Sequence, residues 1–348
     1  MNRWIWPISA VLVAVSVVVH QMHASLLSVF VTSCLAIIPL AALMGQSTET
    51  IAARVGPRVG GLLSATFGNA VELIIGIFAL RGGYLTLVKA SITGSIIGNL
   101  LFVLGVSFLI GGIRHPLQRF NTRAARSNAA MLVMGIAVAF VIPASFSLYG
   151  SHTVTLSAAT AVVLFCIYAA GLLFSLFTHS RYFEYIHEEE TSAANSTSRF
   201  WLAALVLCLA TVLVSMESDW LVAGVKQVGH SLGWGQMFIG VVVVAIVGNA
   251  AEHVSAVWMA WKDRMDLSLE IAVGSTLQVA MFVAPLLFFV SWGIGHTMPL
   301  VFTWPELVSM GASVLLVVVL MNDGESNWLE GAMAVGAYLI MAVGFYTL

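Results

Sequence analysis

The amino-acid sequence predicts an all-α membrane protein with about eleven transmembrane helices. Of its 348 residues 60% are hydrophobic and 9% are charged, and mean hydropathy is +0.99. Soluble globular proteins carry about a quarter charged residues, so this composition excludes most soluble enzymes. The apolar runs are continuous and about 20 residues long, whereas the strands of membrane β-barrels alternate over about ten residues. We therefore expect spanning helices and the lipid bilayer as partner.

The apolar runs and one polar segment define the expected organisation. The eleven runs lie at residues 5–19, 25–44, 60–80, 86–113, 128–149, 153–178, 200–221, 236–261, 267–292, 300–321 and 328–347. The first run lacks a convincing small-x-small cleavage site, so we interpret it as a helix and not as a signal peptide. We predict a leading helix in 1–24, a five-helix unit in 25–178, an acidic cytoplasmic linker in 179–199 and a second five-helix unit in 200–348.

The basic residues predict the orientation, because Lys and Arg concentrate on the cytoplasmic side of membrane proteins. With eleven spans, one side carries Arg3, Arg54, Arg58, Arg114, Arg119, Arg123, Arg126, Arg181, Arg199, Lys262 and Arg264, and the other carries Arg81, Lys89 and Lys226. We expect the N-terminus in the cytoplasm and the C-terminus outside. The net charge of −2 argues against nucleic acid as a partner.

The two five-helix units are related by an internal repeat. Residues 65–72 read ATFGNAVE and residues 245–252 read AIVGNAAE, an offset of 180 positions. The same offset relates the Gly-Ser pair at 94–95 to the pair at 274–275. Because each unit has an odd number of predicted spans, the second enters the membrane upside down relative to the first. This is the inverted repeat of secondary transporters, whose sites lie near the bilayer midplane.

Two acidic residues stand out among the sixteen in the chain. Only Glu72 and Glu252 are expected well inside strongly apolar runs, and they occupy equivalent positions of the two repeats. A carboxylate at that depth costs at least about 2.5 kcal/mol, and no Lys or Arg is expected at comparable depth. The pair therefore predicts a cation-binding site.

Further oxygen donors surround the pair in the sequence. Asn69 and Asn249 each precede a glutamate by three positions, so both side chains of a pair project from one helix face. The remaining candidates are Ser95, Asn99, Ser275 and Gln278. Nearby glycines allow either close helix packing or local unwinding that exposes carbonyl groups, and both roles stay open for Gly68, Gly94, Gly98, Gly248 and Gly274.

The donor set favours a hard cation. Carboxylates, amides and hydroxyls suit Ca²⁺, with Mn²⁺ as an alternative, whereas Zn²⁺ or copper favours His and Cys. His253 follows Glu252 but lies about 100° around the helix, so we interpret it as a packing residue or a hydrogen-bond partner of a ligand. Two ionised glutamates with one Ca²⁺ sum to zero charge, as do two protonated glutamates without it. If only near-neutral states switch access, Ca²⁺ and protons exchange.

The two repeated sequence blocks resemble the motifs of a known family. The GNAVE block ending at Glu72 and the GNAAEH block ending at His253, each with a Gly-Ser pair 22 residues after its Glu, resemble the signature repeats of the calcium/cation exchanger superfamily, Ca²⁺/H⁺ antiporter branch. The resemblance implies that both glutamates bind Ca²⁺ and protons alternately, with no resident cofactor, in a prokaryotic plasma membrane. It also matches an acidic segment between the halves, Glu188, Glu189 and Glu190, which either senses Ca²⁺ or is a solvated linker.

Other functions remain to be weighed against exchange. A Na⁺- or K⁺-coupled exchanger of Ca²⁺ or Mn²⁺ from the same superfamily is the main alternative, and a passive cation channel predicts flux without proton counter-movement. An intramembrane metal-dependent enzyme is disfavoured, because the chain has no HExxH motif. Whether Asn99 or Gln278 ligates directly, and whether the protein forms a homo-oligomer, stay open.

Overall fold

The computed structural model describes residues 4–148, 150, 152–178 and 197–348. The first part of the chain contains the helices α1 (Ile5–Gln21), α2 (Leu26–Val55), α3 (Pro57–Phe67), α4 (Ala70–Arg81), α5 (Leu85–Arg114), α6 (Thr122–Ser147) and α7 (Thr153–Thr178). The second contains α8 (Thr197–Leu232), α9 (Gln236–Gly248), α10 (Ala250–Trp261), α11 (Met265–Gly293), α12 (Trp304–Leu320) and α13 (Trp328–Tyr346). The all-α prediction is confirmed, apart from a two-residue antiparallel pair of β1 (Gln118–Arg119) and β2 (Glu325–Ser326).

The helices are long and apolar, as the composition requires. Within the described residues, seven helices are long and apolar enough to cross a membrane, and the bent pair of α9 and α10 passes the same test together. The helices α1 and α12 are shorter but apolar. Because length and composition decide no more than this, the total of eleven crossings stays a prediction.

Two of the predicted runs are broken at equivalent positions. The run 60–80 divides into α3 and α4 on either side of Gly68 and Asn69, and the run 236–261 divides into α9 and α10, which meet at 63°. Both asparagines have bridge-region backbone angles, with φ −101° and ψ 25° at Asn69 and φ −94° and ψ 6° at Asn249. Each break therefore creates a new helix N-terminus inside an apolar run.

The helices that follow the breaks contain wider turns. In α5 the segment Gly98–Val103 is π-helical, and in α11 the segment Val279–Val283 is π-helical. These segments end at positions 180 residues apart, so the local geometry repeats along with the sequence. Such π segments loosen the regular hydrogen-bond ladder and are frequent at functional sites.

Three chain connections meet at one end of the helix bundle: those between α5 and α6, between α10 and α11, and between α12 and α13. Gln118 Nε2 donates to the Ala260 carbonyl oxygen and to Asp263 Oδ1, both at 2.9 Å, and β1 pairs with β2. The amide of Asn121 donates to Asp266 Oδ1 at 2.6 Å. The predicted topology puts these three connections on one side of the membrane, which agrees with these contacts. The linker candidates Glu188, Glu189 and Glu190, with Arg3 and Arg181, lie outside the described residues.

Burial of acidic side chains is not confined to the two repeat-related glutamates, although their depth in the membrane stays a prediction. Glu217 is fully buried, and its Oε2 accepts a hydrogen bond of 2.7 Å from Ser16 Oγ of the leading helix. One turn away, the rings of His20 and Trp220 stack with their centroids 4.1 Å apart. The hydropathy pattern ends the run at residue 221, which puts Glu217 near a membrane edge, but α8 continues to Leu232. The polar contact of Glu217 therefore attaches α1 to α8.

Replacing Ser16 by Ala is expected to lower the stability of the folded protein by about 1–3 kcal/mol, because one oxygen of a buried carboxyl group loses its hydrogen-bond partner. The matched control is Ser9→Ala on the same helix, whose hydroxyl bonds only to the Ile5 carbonyl one turn earlier, at 2.8 Å. Thermal unfolding in detergent measures both. Equal transition temperatures for the two variants would contradict the attachment.

Candidate cation-binding site

The two repeat-related glutamates meet across the centre of the bundle. Glu72 lies in the first turn of α4 and Glu252 in the first turn of α10. A Cβ atom placed on Gly248 would lie 3.2 Å from Glu72 Oε1, and one placed on Gly68 would lie 3.6 Å from Glu252 Oε1. Each carboxyl group is thus packed against the helix break of the opposite repeat.

Each glutamate has one oxygen without a partner. The Oε2 atoms of Glu72 and Glu252 are buried, and neither has a hydrogen-bond donor among the described residues. Within the same part of the chain, neither carboxyl group forms an ion pair with a Lys or Arg side chain. The positive ends of the α4 and α10 dipoles favour negative charge in the first helical turn. A charged pair in this position nevertheless needs a cation or protons to neutralise it.

Amide and hydroxyl groups cross-link the two repeats around the glutamates. Asn249 Nδ2 donates to Ser95 Oγ at 3.0 Å, and Ser275 Oγ donates to Asn69 Oδ1 at 3.3 Å. The offset of 180 residues converts the first pair into the second. The site is therefore built symmetrically, with each asparagine fixed by the serine of the other repeat.

The symmetry fails at the two remaining amides. Asn99 Nδ2 donates to Ser275 Oγ at 3.0 Å and to Asn249 Oδ1 at 3.4 Å, while its Oδ1 lies 3.2 Å from His253 Nε2. Gln278 Oε1 accepts a hydrogen bond from Asn69 Nδ2. The side chain of Asn99 is thus engaged at both ends. His253 contacts Asn99.

Burial separates the framework of the site from its open part. Asn69, Ser95, Asn99, Asn249 and Ser275 are each at most 4% exposed. Glutamates 72 and 252, together with glutamine 278, retain partial exposure. The side chains with intermediate exposure are therefore the ones that a ligand from outside can reach.

The sequence-predicted glycines differ in what surrounds them. Gly94 of α5 leaves no room for a Cβ atom, because such an atom would overlap the backbone of Val241 in α9. A Cβ on Gly240 would likewise lie 2.5 Å from Ala90 Cβ. By contrast, no atom lies within 4 Å of a Cβ atom placed on Gly98 or Gly274. Backbone contact between α5 and α9 therefore depends on Gly94, and sequence alone could not distinguish it from its equivalent, Gly274.

Replacing Gly94 by Ala is expected to destabilise the protein by about 1–3 kcal/mol, as overpacking does when the neighbour is backbone. The repeat-equivalent Gly274→Ala is the control, since its Cβ enters open space. Thermal unfolding and the yield of folded protein in detergent measure the difference. Similar behaviour of the two variants would contradict the packing described for α5 and α9.

The structure brings the predicted oxygen donors together in one place. The site contains two carboxylates, four amides and two hydroxyls, and His253 contacts it through the Oδ1 of Asn99. Among the described residues, no group of three or more His, Cys, Asp or Glu side chains is arranged to hold a metal ion. Hard oxygen donors of this kind suit Ca²⁺. They suit Mg²⁺ less well, because Mg²⁺ gives up its bound waters reluctantly. What the sequence did not indicate is the close approach of Gly240 to α5.

The fold and the site define an integral membrane protein with a paired-carboxylate site between two repeats. A family model described as "Sodium/calcium exchanger protein" matches residues 25–177 and 202–347. The chain belongs to this family. The resemblance found in the GNAVE and GNAAEH blocks is therefore confirmed at the level of the family.

Relatives support the same membership over the whole chain. The chain is 47% identical to the Ca(2+)/H(+) antiporter ChaA of Bacillus subtilis (strain 168) over 353 aligned positions, covering 100% of both chains. It is 43% identical to the Ca(2+)/H(+) antiporter of Aphanothece halophytica, covering 96% of this chain and 94% of the relative. These relatives are named as antiporters, not as enzymes.

Solved structures share the fold. Native YfkE matches with a TM-score of 0.87 at 45% identity, covering 99% of this chain and 100% of that one. The H⁺/Ca²⁺ exchanger CAX matches with a TM-score of 0.76 at 14% identity, covering 99% and 91%. At that identity the second match shows the fold alone.

Proposed function

We propose that the protein exchanges Ca²⁺ for H⁺ across a membrane by alternating access, with Glu72 and Glu252 binding either the metal ion or protons. The observation that carries the proposal is the symmetric pair of carboxyl groups, each with a buried oxygen that lacks a partner among the described residues. The family match and the names of the full-length relatives support the same reaction.

Charge compensation explains why the two ions exchange. A Ca²⁺ ion between two carboxylates gives a neutral site, and two protons on the same groups also give a neutral site. The empty, doubly ionised site carries two negative charges in a low-dielectric interior, where repulsion and lost hydration oppose it. When only the neutral forms change access, export of one ion requires import of the other.

Within the site, we assign the framework and the ligands different roles. Asn69, Asn249, Ser95 and Ser275 hold the two helix breaks together, and Asn99 fastens this framework to His253. Gln278 Oε1 and Glu252 Oε1 both flank Gly68, at 3.4 and 3.6 Å from a Cβ atom placed there. Their shared position favours Gln278 over Asn99 as the amide that contacts the ion.

The division of the chain and its setting in the membrane follow from the same proposal. The two matched segments support two repeats after a leading helix in 1–24, separated by the linker 179–199. The bacterial relatives support a prokaryotic plasma membrane, with the N-terminus in the cytoplasm and the C-terminus outside. The linker residues Glu188, Glu189 and Glu190 would then face cytoplasmic Ca²⁺.

The proposal is tested in proteoliposomes with H⁺, Na⁺ and K⁺ gradients imposed one at a time. We expect ⁴⁵Ca²⁺ uptake with the H⁺ gradient alone. Uptake that follows only Na⁺ or K⁺ would assign the protein to the alternative cation-coupled exchangers. Uptake without any counter-gradient or proton movement would indicate a channel.

Replacing either Glu72 or Glu252 by Gln is expected to reduce Ca²⁺ affinity and proton-driven uptake by more than about 100-fold, because a neutral amide cannot replace a charged ligand. The control is Glu330→Gln, since Glu330 closes a capping box with Asn327 that Gln also supports. Binding and uptake of ⁴⁵Ca²⁺ provide the measurement. Full uptake by the Glu72→Gln protein would refute the assignment.

Calcium affinity is expected to fall as the pH is lowered. Each proton that competes for a carboxylate weakens binding by about tenfold per pH unit once that carboxyl group is mostly protonated. Equilibrium ⁴⁵Ca²⁺ binding between about pH 8 and about pH 5 measures the effect. An affinity that stays constant over this range would show that the ions do not share the site.

Replacing Gln278 by Met removes the amide oxygen at similar volume and also breaks its bond with Asn69, so we expect Ca²⁺ affinity to fall by about 10–100-fold and the unfolding temperature to fall with it. The matched variant Asn99→Leu breaks the bonds to Asn249, Ser275 and His253. It should mainly lower the unfolding temperature. The reverse pattern would make Asn99 the direct ligand.

A further inference from the structure

An open cleft of about 620 Å³ lies where α5 and α10 end, away from the glutamate site. We call it the basic cleft, and its lining residues are Arg114, His115, Trp258, Trp261, Lys262 and Arg264. Three of these side chains are permanently basic, two are large aromatic rings, and none is acidic. The cleft belongs to the end of the bundle at which the β1–β2 pair lies.

Aromatic rings hold two of the cations in place. The guanidinium carbon of Arg114 lies 4.4 Å from the centroid of the Trp261 ring, and Lys262 Nζ lies 5.1 Å from the centroid of Trp258. A stacked guanidinium keeps its N–H groups directed outward at its edge, where they can bind phosphate oxygens. Each of these two cations therefore has a preferred position beside an aromatic ring at the cleft.

The two carboxylates that lie nearest to Lys262 and Arg264 in the sequence are hydrogen-bonded to residues outside the cleft. Asp263 Oδ1 accepts from Gln118 Nε2 at 2.9 Å, and Asp266 Oδ1 accepts from the Asn121 amide at 2.6 Å. In the described part of the chain, neither Arg114 nor Lys262 forms an ion pair. The charges of Arg114 and Lys262 are thus available to an anion from outside the chain.

An apolar strip on α10 favours a phospholipid over a soluble phosphate as the bound anion. Val254 and Trp258 are 70% and 53% exposed and lie one turn apart, on the helix face that continues to Trp261 in the cleft. A soluble phosphate would use only the cations, whereas a phospholipid would place its headgroup on the cations and a chain along this strip. Tryptophan and basic side chains are the usual residues at this depth of the bilayer.

We propose that the basic cleft binds an anionic phospholipid, with its phosphate between Arg114 and Lys262 and an acyl chain along Val254 and Trp258. The lipid would hold the C-terminal end of α10, the helix whose first turn carries Glu252. Binding of the lipid does not depend on the proposed Ca²⁺/H⁺ exchange, so the two proposals are tested separately.

Native mass spectrometry of the intact protein in mild detergent tests the site. The protein is exposed to phosphatidylglycerol and phosphatidylcholine with identical chains. We expect preferential retention of phosphatidylglycerol, falling about fivefold on Arg114→Gln and again on adding Lys262→Gln, as each cation near the surface contributes to anionic-lipid binding. Equal retention of the two lipids by the unmodified protein would overturn the proposal.

The control is the double variant Arg123→Gln with Arg126→Gln, which removes the same charge from exposed positions of the adjacent helix α6 outside the cleft. Its retention of phosphatidylglycerol should change less than about twofold. An equal loss in this control would reveal a general effect of surface charge and overturn the site. Displacement of the lipid by millimolar inorganic phosphate would do the same, because it would identify a soluble anion as the ligand.

Discussion

The cost of an unpaired carboxylate in the membrane interior is the constraint on which the structure depends. Glu72 and Glu252 each have one buried carboxyl oxygen without a partner, and no basic side chain among the described residues forms an ion pair with them. The fold partly offsets this cost by breaking two apolar helices, so that each glutamate lies at a new helix N-terminus. In the proposed exchange, Ca²⁺ or protons supply the compensation that the helix dipoles leave incomplete.

The same chemistry has a different consequence at Glu217. Its carboxyl group is fully buried, and the hydrogen bond that its Oε2 accepts from Ser16 joins α1 to α8, while its Oε1 has no partner among the described residues. Glu72 and Glu252 instead retain partial exposure and face glycines, which have no side chain to occupy the space beside them. Access therefore separates the carboxyl group that joins two helices from the two carboxyl groups that we propose as ion ligands.

The sequence predicted the all-α class, the repeat and the set of oxygen donors, because these depend on composition and on a fixed offset. It left open whether the helices unwind at Gly68 and Gly248, so it did not locate the breaks at Asn69 and Asn249, and it did not predict the π segments. Glu217 was missed because hydropathy ends the run at residue 221, whereas tertiary packing carries α8 on to Leu232. Gly94 and Gly274 look equivalent in sequence, and only the approach of Val241 distinguishes them.

Infrared difference spectroscopy of the reconstituted protein addresses the shared carboxyl groups most directly, since it detects protonated and ionised carboxyls separately. On addition of Ca²⁺ at mildly acidic pH, we expect the protonated-carboxyl band to decrease as carboxylate bands rise, and this change to disappear when both Glu72 and Glu252 are replaced by Gln. Calcium binding that leaves the protonated-carboxyl band unchanged in the unmodified protein would contradict the account.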